Sequence, residues 1–316
     1  MDTPTLEPTQ FEGWDCVRLS NGDAEVVVTT AVGPRLIRYG RTGGPNAFQV
    51  IPETRGQAGG ADWTPYGGHR LWHAPEVKPR SYHPDTGPYG APALDGATLR
   101  IASPPESTTG IAKEMRVTLA PSGSAAKVEH VLTNHTVWPV TLSAWALSIV
   151  ANGGRVVLPQ EPFVSHDDEL APARPLVLWP FTDMADPRWR WGRKYLSLSQ
   201  SGDKGNPQKV GAYNAQGWAA HLSDEQALIV RILPTPTPDG LPDMGCNYET
   251  YTDGPFQELE TLGPLTTLEP GASVSHTEFW FLKASGPIAD TDEALDAGLL
   301  PVVAEAQAQT AQAFGA

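Results

Sequence analysis

The sequence predicts an all-β protein, a large antiparallel β-sandwich, on three observations. Segments rich in β-branched or alternating apolar residues recur along the chain, with Ala24–Thr30 and Ile111–Leu119 as the clearest examples. Glycine and proline number 31 each and are spread through the sequence, which is typical of many turns between short strands. Helix signals are confined to the C-terminus. The 316 residues therefore suit one large β domain, 1–288, with a helical tail, 289–316.

The same patterns predict about sixteen strands in all. Asn21-Gly22 has the composition of a tight hairpin turn and precedes Ala24–Thr30. Ile111–Leu119 alternates apolar and polar side chains, as a strand with one buried face does. Further strands are expected at Pro34–Tyr39, Lys127–Thr133, Thr141–Val150, Lys194–Ser199, Gln208–Tyr213, Ala227–Leu233, Phe256–Leu262 and Val274–Leu282.

Two helices are predicted in the tail. Ala289–Leu300 carries acidic residues in its first turns, where they suit the positive end of a helix dipole. Pro301 suits the first turn of a second helix that runs to about Phe314.

The charge and the N-terminal sequence limit the partners and the compartment. The net charge of −14 and the pI of about 4.9 give a surface that repels polyanions, so we expect no nucleic-acid and no membrane partner. The N-terminus has neither a basic nor an apolar run, so no secretory signal is expected. The uncharged segment Thr136–Gly154 contains Pro139 and several hydroxyl side chains, which favours a buried strand and turn over a membrane span. We expect a cytoplasmic protein, and the sequence leaves its oligomeric state open.

The cysteine count agrees with that compartment. Cys16 and Cys246 are the two cysteines, too few for a disulfide framework in a chain of this length. Both lie in segments that resemble strands, so we expect buried, reduced thiols.

The first candidate site lies in Gly67–Glu76, GGHRLWHAPE, within a long aromatic loop predicted over Glu53–Pro92. Aromatic faces and charged groups that bond hydroxyls in pairs are what a carbohydrate site requires. The alternative is a rigid loop whose histidines and arginine bond backbone carbonyls. The candidate residues are His69, Arg70, Trp72, His73 and Glu76.

A metal site in this loop is not expected. His69 and His73 are four residues apart, as in a helical ligand pair. Gly67, Gly68 and Pro75 argue against a helix, and Arg70 stands where the zincin motif has its glutamate.

The second candidate site lies in 246–264, CNYETYTDGPFQELETLGP. In a strand over Phe256–Leu262, Glu258 and Glu260 share one face and lie about 6–7 Å apart. Burial of such a pair raises one pKa and suits general acid or base work. The alternative is that one carboxylate bonds a loop or an arginine while the other is solvated. Asn247 and Glu249 precede the pair and are candidate binding residues at the same rim.

Another aromatic segment, Trp189–Lys194, is basic in an otherwise acidic chain. It suits stacking on a sugar or contact with an anionic ligand. The alternative is cation–π packing at the surface.

These segments resemble a known superfold. LSNGDAEVVVTTAVGPRLIRYG resembles the start of aldose 1-epimerase-like proteins. GGHRLWHAPE and FQELETLGPLTTLEPGASVSHTEFWF together resemble a bacterial family of the galactose mutarotase-like superfold, catalogued as DUF4380. The resemblance covers about residues 15–285 and implies an antiparallel β-supersandwich with a sugar-binding groove on one sheet.

The resemblance also implies a chemistry. In mutarotases a late glutamate takes the proton of the anomeric hydroxyl and a histidine protonates the ring oxygen. The glutamate corresponds to Glu258 or Glu260. Trp145 stands where the histidine is expected, so His69 or His73 would have to supply the acid from the other segment.

The leading hypothesis is therefore a carbohydrate-binding protein that acts as an aldose mutarotase or epimerase without a cofactor. One alternative is a sugar-binding or sensing module without catalysis. The other is a lyase or hydrolase on an acidic glycan, in which Arg70, Arg193 and Lys194 would meet carboxylates.

Overall fold

Two large antiparallel sheets form the body of the protein. The computed structural model describes residues 4–201 and 205–316, and these contain twenty-one strands and two α-helices. The strands are β1 (Thr5–Phe11), β2 (Trp14–Ser20), β3 (Ala24–Thr29), β4 (Leu36–Arg41), β5 (Gly68–Ala74), β6 (Ala93–Asp95), β7 (Thr98–Ala102), β8 (Ile111–Leu119), β9 (Ala126–Asn134), β10 (Val140–Ile149), β11 (Arg155–Pro159), β12 (Leu176–Leu178), β13 (Trp189–Trp191), β14 (Tyr195–Ser199), β15 (Gln208–Ala212), β16 (Trp218–Leu222), β17 (Gln226–Arg231), β18 (Tyr248–Thr252), β19 (Gln257–Leu262), β20 (Thr266–Leu268) and β21 (Ser273–Ala284). The helices are α1 (Asp292–Gly298) and α2 (Leu300–Phe314).

The strand order places distant segments side by side. The first sheet runs β1-β2-β3-β4-β5-β10-β19-β18-β15-β12, with β20 beside β10. The second sheet runs β13-β14-β11-β16-β17-β21-β9-β8-β7-β6. Because β10 lies between β5 and β19, the two candidate segments of the sequence lie on neighbouring parts of one sheet.

The sequence patterns undercount the strands. Four of the strands have only three residues, and they are too short to show a period of their own. Each is held by its pairing with a longer neighbour. The clear alternation of Ile111–Leu119 is confirmed, since every second residue of β8 is buried.

The main core lies between the two sheets. Leu71 and Leu259 from the first sheet belong to the same buried cluster as Val117 and Trp280 from the second. The Trp280 ring centroid lies 5.2 Å from that of Tyr39. Burial of such aromatic and aliphatic surface contributes about 25 cal/mol per Å² of apolar area and is the main stabilising term.

The C-terminal helices cover the outer face of the second sheet. Thr291 caps α1 by accepting a hydrogen bond from the amide of Ala294 at 3.2 Å. The helix begins three residues later than predicted, because Thr291 takes the N-cap position in an extended conformation. Asp290 precedes the helix and accepts a hydrogen bond from Ser197 Oγ at 2.6 Å. Leu295 and Leu299 are fully buried in the apolar cluster beneath the helices.

Helix length and cysteine state are also predicted from the sequence, and both can be compared with the described residues. None of their helices is long and apolar enough to cross a membrane. Cys16 and Cys246 are free thiols, and both are buried.

The contact between helix and sheet can be tested with adjacent leucines. Leu299→Ala should lower the free energy of unfolding by about 2–5 kcal/mol, because it leaves a cavity in a buried cluster. Leu300→Ala should change it by less than about 0.5 kcal/mol, since Leu300 is 38% exposed. Urea denaturation of both variants measures the difference. Equal effects would show that the helices do not pack on the sheet as described.

Candidate functional site

The first sheet has a pocket on its outer face, and strand alternation decides which residues reach it. Successive side chains of a strand point to opposite faces. On β5, Arg70 and Trp72 therefore face outward, while Leu71 packs in the core between the sheets. On β19, Glu258 lines the pocket and Leu259 lies in the core. The pairing of Leu147 with both Arg70 and Glu260 joins the two motifs across β10.

Aromatic side chains make up most of the pocket wall. The cavity has a volume of about 280 Å³. Several of its rings come from the long loops, and the Trp63 ring packs on Trp72 and Tyr82 at centroid distances of 5.2 and 5.6 Å. The aromatic lining residues are Trp63, Trp72, Tyr82, Trp145, Trp179, Phe181, Tyr251 and Phe256, and the charged ones are Arg70, Glu76, Lys209 and Glu258.

Arg70 and Glu258 form the first ion pair of the pocket. Arg70 Nη2 lies 2.9 Å from Glu258 Oε1. The guanidinium lies 4.6 Å from the Trp72 ring centroid and 5.3 Å from that of Trp63, so two cation–π contacts hold it. Burial raises the pKa of Glu258, although the attraction of Arg70 acts in the opposite direction. No described residue accepts a hydrogen bond from Arg70 Nε or Nη1.

Lys209 forms the second charged group, with two carboxylates. Its Nζ lies 2.7 Å from Glu249 Oε2 and 3.0 Å from Glu260 Oε2. Trp145 Nε1 donates to Glu260 Oε2 at 2.8 Å. The ammonium also lies 4.6 Å from the Trp179 ring centroid. Burial alone would lower the pKa of Lys209, but attraction to Glu249 and Glu260 outweighs it and raises that pKa.

Several carboxylates surround the two buried cations. Two cations, Arg70 and Lys209, face three carboxylates. Burial, together with repulsion from Glu260 and Asp243, raises the pKa of Glu249 well above its usual value. The attraction of Lys209 acts in the opposite direction on Glu249. The carboxylates therefore outnumber the two cations, which disfavours an anionic ligand.

The structure brings most of the predicted binding residues together. Arg70, Trp72 and Glu76 line the pocket with Glu258. Glu249 and Glu260 are fully buried beside Lys209. The second motif thus places its carboxylates at or directly behind the pocket wall.

Asn247 does not reach the pocket. Its Oδ1 accepts a hydrogen bond from the Asn214 amide at 2.8 Å, and its Nδ2 donates to the Asn214 carbonyl at 3.0 Å. Both side-chain groups are used to join two loops. The prediction that Asn247 binds the ligand is therefore replaced by a structural role.

His69 and His73 are also turned away from the pocket. The sequence predicts a loop at Gly67–Glu76, whereas Gly68–Ala74 is a fully buried strand. Alternation along this strand sends both histidines to the face opposite Arg70. His73 Nε2 lies 3.4 Å from Glu106 Oε2, and His69 bonds Ser148 and His130. The expectation that either supplies a pocket acid is corrected by this geometry.

The histidines between the sheets form a hydrogen-bonded chain. His130 Nδ1 lies 3.1 Å from the His276 carbonyl, which can only accept, so Nδ1 carries the proton. His69 Nε2 then donates to His130 Nε2 at 2.7 Å, and Ser148 Oγ donates to His69 Nδ1 at 2.8 Å. Burial lowers the pKa of His69, and it lowers that of His130 to about 3, so both rings are neutral.

Two of these hydrogen-bonded histidines, together with Glu278, form a possible set of metal ligands. His69, His130 and Glu278 place ligand atoms within 4.8 Å of one another. The two Nε2 atoms already bond each other at 2.7 Å, closer than two nitrogens that share one zinc at about 2.0–2.1 Å in tetrahedral geometry. The donor set therefore fits a hydrogen-bond network better than a metal centre.

Sequence reasoning missed Lys209. It is a lone cation in a strand whose residues are all buried, and that pattern signals a lysine with carboxylate partners. Arg193 and Lys194, which the acidic-glycan hypothesis combined with Arg70, line a different cavity. The structure separates the three cations that this hypothesis needs.

Comparisons with solved structures identify the fold. A galactose mutarotase-like protein from Lactobacillus casei has a TM-score of 0.50 at 12% identity, over 85% of this chain and 100% of that one. A suggested mutarotase, YeaD from Salmonella typhimurium, has a TM-score of 0.54 at 9% identity, over 89% and 94%. The chain has the galactose mutarotase-like fold. This confirms the predicted supersandwich with its helical tail.

The comparisons extend no further than the fold. A TPR-domain-containing protein from Parabacteroides distasonis has a TM-score of 0.54 at 11% identity, over 90% of this chain, which spans about half (54%) of that protein. No protein-family model and no curated protein matches the chain. Membership of DUF4380 therefore stays a prediction.

The histidine chain predicts a specific pH dependence. An unfolded histidine titrates near 6.5, whereas the pKa of folded His130 is about 3. Neutral His130 thus contributes stability above about pH 6.5 that is lost as the pH falls toward about 3. The stability advantage of the wild type over His130→Gln should shrink by about 2 kcal/mol between about pH 7 and pH 5.

Urea denaturation at several pH values measures this change. His135→Gln is the matched control, because His135 is exposed. An advantage over His130→Gln that stays constant with pH would contradict the neutral, buried state of His130.

Proposed function

We propose that the protein binds one neutral sugar ring in the outer-face pocket and that Glu258 is the general base of an aldose mutarotation there. The observation that carries the proposal is the Arg70–Glu258 ion pair set among aromatic walls. Aromatic faces stack on the C–H faces of a sugar, while the ion pair offers donors and acceptors to its hydroxyls. The volume of about 280 Å³ is at the small end of ligand sites and suits a single ring.

The fold supports the same class of ligand. Two structures that share it are described as galactose mutarotase-like and as a suggested mutarotase. The carboxylates around Arg70 and Lys209 outnumber these cations and favour an uncharged ligand over an acidic one. These arguments select a neutral aldose, and we make no choice between individual sugars.

The proposed chemistry consists of two proton transfers. Glu258 takes the proton of the anomeric hydroxyl, and the ring C–O bond breaks as the ring oxygen receives a proton from the Lys209 ammonium, which also lines the pocket. The open-chain aldehyde then turns and recloses by the reverse steps. The carboxylate faces the pocket from a buried position, and burial raises its pKa toward the range in which a base is effective.

Sugar binding without catalysis is the second candidate. No histidine is among the described residues that line the pocket. Lys209 is an available N–H donor, but its carboxylate neighbours raise its pKa and make it a weak acid. The pocket therefore has a clearer base than acid, and this is the observation that supports the second candidate.

The first test separates binding from turnover. Isothermal titration calorimetry with a panel of neutral aldoses should find saturable binding. Polarimetry of freshly dissolved α-glucose or α-galactose should show faster approach to anomeric equilibrium than in buffer. Glu258→Gln should reduce that acceleration about 10²–10⁴-fold, because it removes the base while keeping the shape of the side chain.

Glu225→Gln is the matched control, since Glu225 is exposed on the other sheet. Binding with no acceleration for any aldose would select the second candidate. Absence of binding across the panel would reject both.

Arg70 should affect affinity more than rate. In the proposed complex Arg70 bonds sugar hydroxyls in the ground state and in the transition state alike. Its loss should therefore raise the Kd of the sugar about tenfold or more, with a smaller change in turnover. Arg70→Lys keeps the charge beside Glu258 and is preferred to a neutral variant, which would leave a buried carboxylate unpaired. A change in turnover at unaltered affinity would contradict this assignment.

A further inference from the structure

A second cavity lies between the helical tail and the loop after β11. Its volume is about 520 Å³, and it shares no lining residue with the outer-face pocket. Segments from four parts of the chain enclose it, including the turn before β14 and the two C-terminal helices. The lining residues are Pro159, Gln160, Glu161, Pro162, Phe163, Arg174, Arg193, Lys194, Tyr195, Gln216, Asp296 and Leu300.

Two arginines in this cavity have no carboxylate partner. Neither Arg174 nor Arg193 forms an ion pair with any described residue, although the chain has a net charge of −14. Arg174 Nη1 donates to the Arg193 carbonyl at 3.2 Å. Arg174 Nη2 is buried and has no partner among the described residues. An unpaired buried donor of this kind is costly and marks a position where an acceptor is expected.

The acidic residues of the cavity are already engaged elsewhere. Glu161 Oε1 accepts a hydrogen bond from the Ala215 amide at 2.7 Å. Asp296 pairs with Lys194 and accepts from the Tyr195 hydroxyl at 2.8 Å. Neither carboxylate forms an ion pair with Arg174 or Arg193, and the three cations of the lining exceed its two carboxylates by one charge.

An aromatic ring lies beside one of these cations. The Arg193 guanidinium lies 4.0 Å from the Phe163 ring centroid. The backbone of Arg193 is fixed because its amide donates to Asp292 Oδ2 at 3.0 Å. The cavity thus combines an exposed guanidinium beside the exposed Phe163 ring with a second guanidinium that has a free donor.

We propose that this cavity is a second binding site, for a small ligand that carries an oxyanion on an apolar or aromatic body. The oxyanion bonds the forked donors of Arg174 and Arg193, and the body packs against Phe163. A phosphate ester and a carboxylate share this chemistry. The site is independent of the sugar pocket, because the two cavities have no residue in common.

Calorimetry with simple probes tests the site. Phenyl phosphate, benzoate, inorganic phosphate and neutral phenol are titrated into the protein at low ionic strength. At least one aromatic oxyanion should bind saturably, more tightly than inorganic phosphate, and phenol should not bind. Preference for phenyl phosphate indicates phosphate esters as the natural class, and preference for benzoate indicates carboxylates.

The variants assign the binding to the two arginines. Arg174→Met and Arg193→Met should each raise the Kd of the probe about tenfold or more, because a hydrogen bond to a charged group is lost. Arg100→Met makes the same change in net charge at an exposed arginine outside the cavity and should change Kd less than about twofold. If a methionine variant does not fold, Arg174→Lys or Arg193→Lys is measured in its place. The lysine variants should also weaken binding, because an ammonium lacks the forked pair of donors of a guanidinium.

Three outcomes overturn the proposal. The first is the absence of saturable binding for every oxyanion probe. The second is equal loss of binding in the Arg100, Arg174 and Arg193 variants, which would show a general charge effect. The third is binding of phenol as tight as that of the oxyanions.

Discussion

The alternation of side chains along β5, β10 and β19 is the constraint on which the rest of the molecule depends. Each of these strands is covered on both faces, so every residue must suit either the core or the pocket. Along β5 the side chains of Arg70 and Trp72 therefore face the pocket, and that of Leu71 packs in the core. A shift of one residue in register would exchange the two sets and bury the charges in the apolar cluster.

Buried charge is costly, and its arrangement here reduces that cost. Removing one ion from water costs several kcal/mol even after relaxation. Lys209 contacts Glu249 and Glu260, and Arg70 contacts Glu258, so each buried charge has an opposite charge beside it. Such clusters add little to stability compared with apolar packing. Their presence at a pocket wall agrees with the binding role proposed for this pocket.

The long aromatic loops complete the pocket that the strands begin. Strands alone would leave Arg70 and Glu258 on a solvated sheet face. Trp63 and Tyr82 close one side, and Trp179 and Phe181 close another. By excluding water, these rings lower the local dielectric constant and strengthen each polar contact with a ligand. Order in these loops thus contributes directly to the electrostatics of the site.

The sequence by itself determined the fold class, the helical tail and the two motifs that supply the pocket. Short-range patterns carry these features, since alternation in 111–119 and the spacing of Glu258 and Glu260 depend only on neighbouring residues. Only the tertiary structure decided the faces of β5, which turn His69 and His73 into the core, and the partners of Lys209 and Asn247. Those depend on strand pairing between segments far apart in the chain, such as 68–74 with 143–149. No local pattern encodes that pairing, because its energy arises only when both segments are in contact.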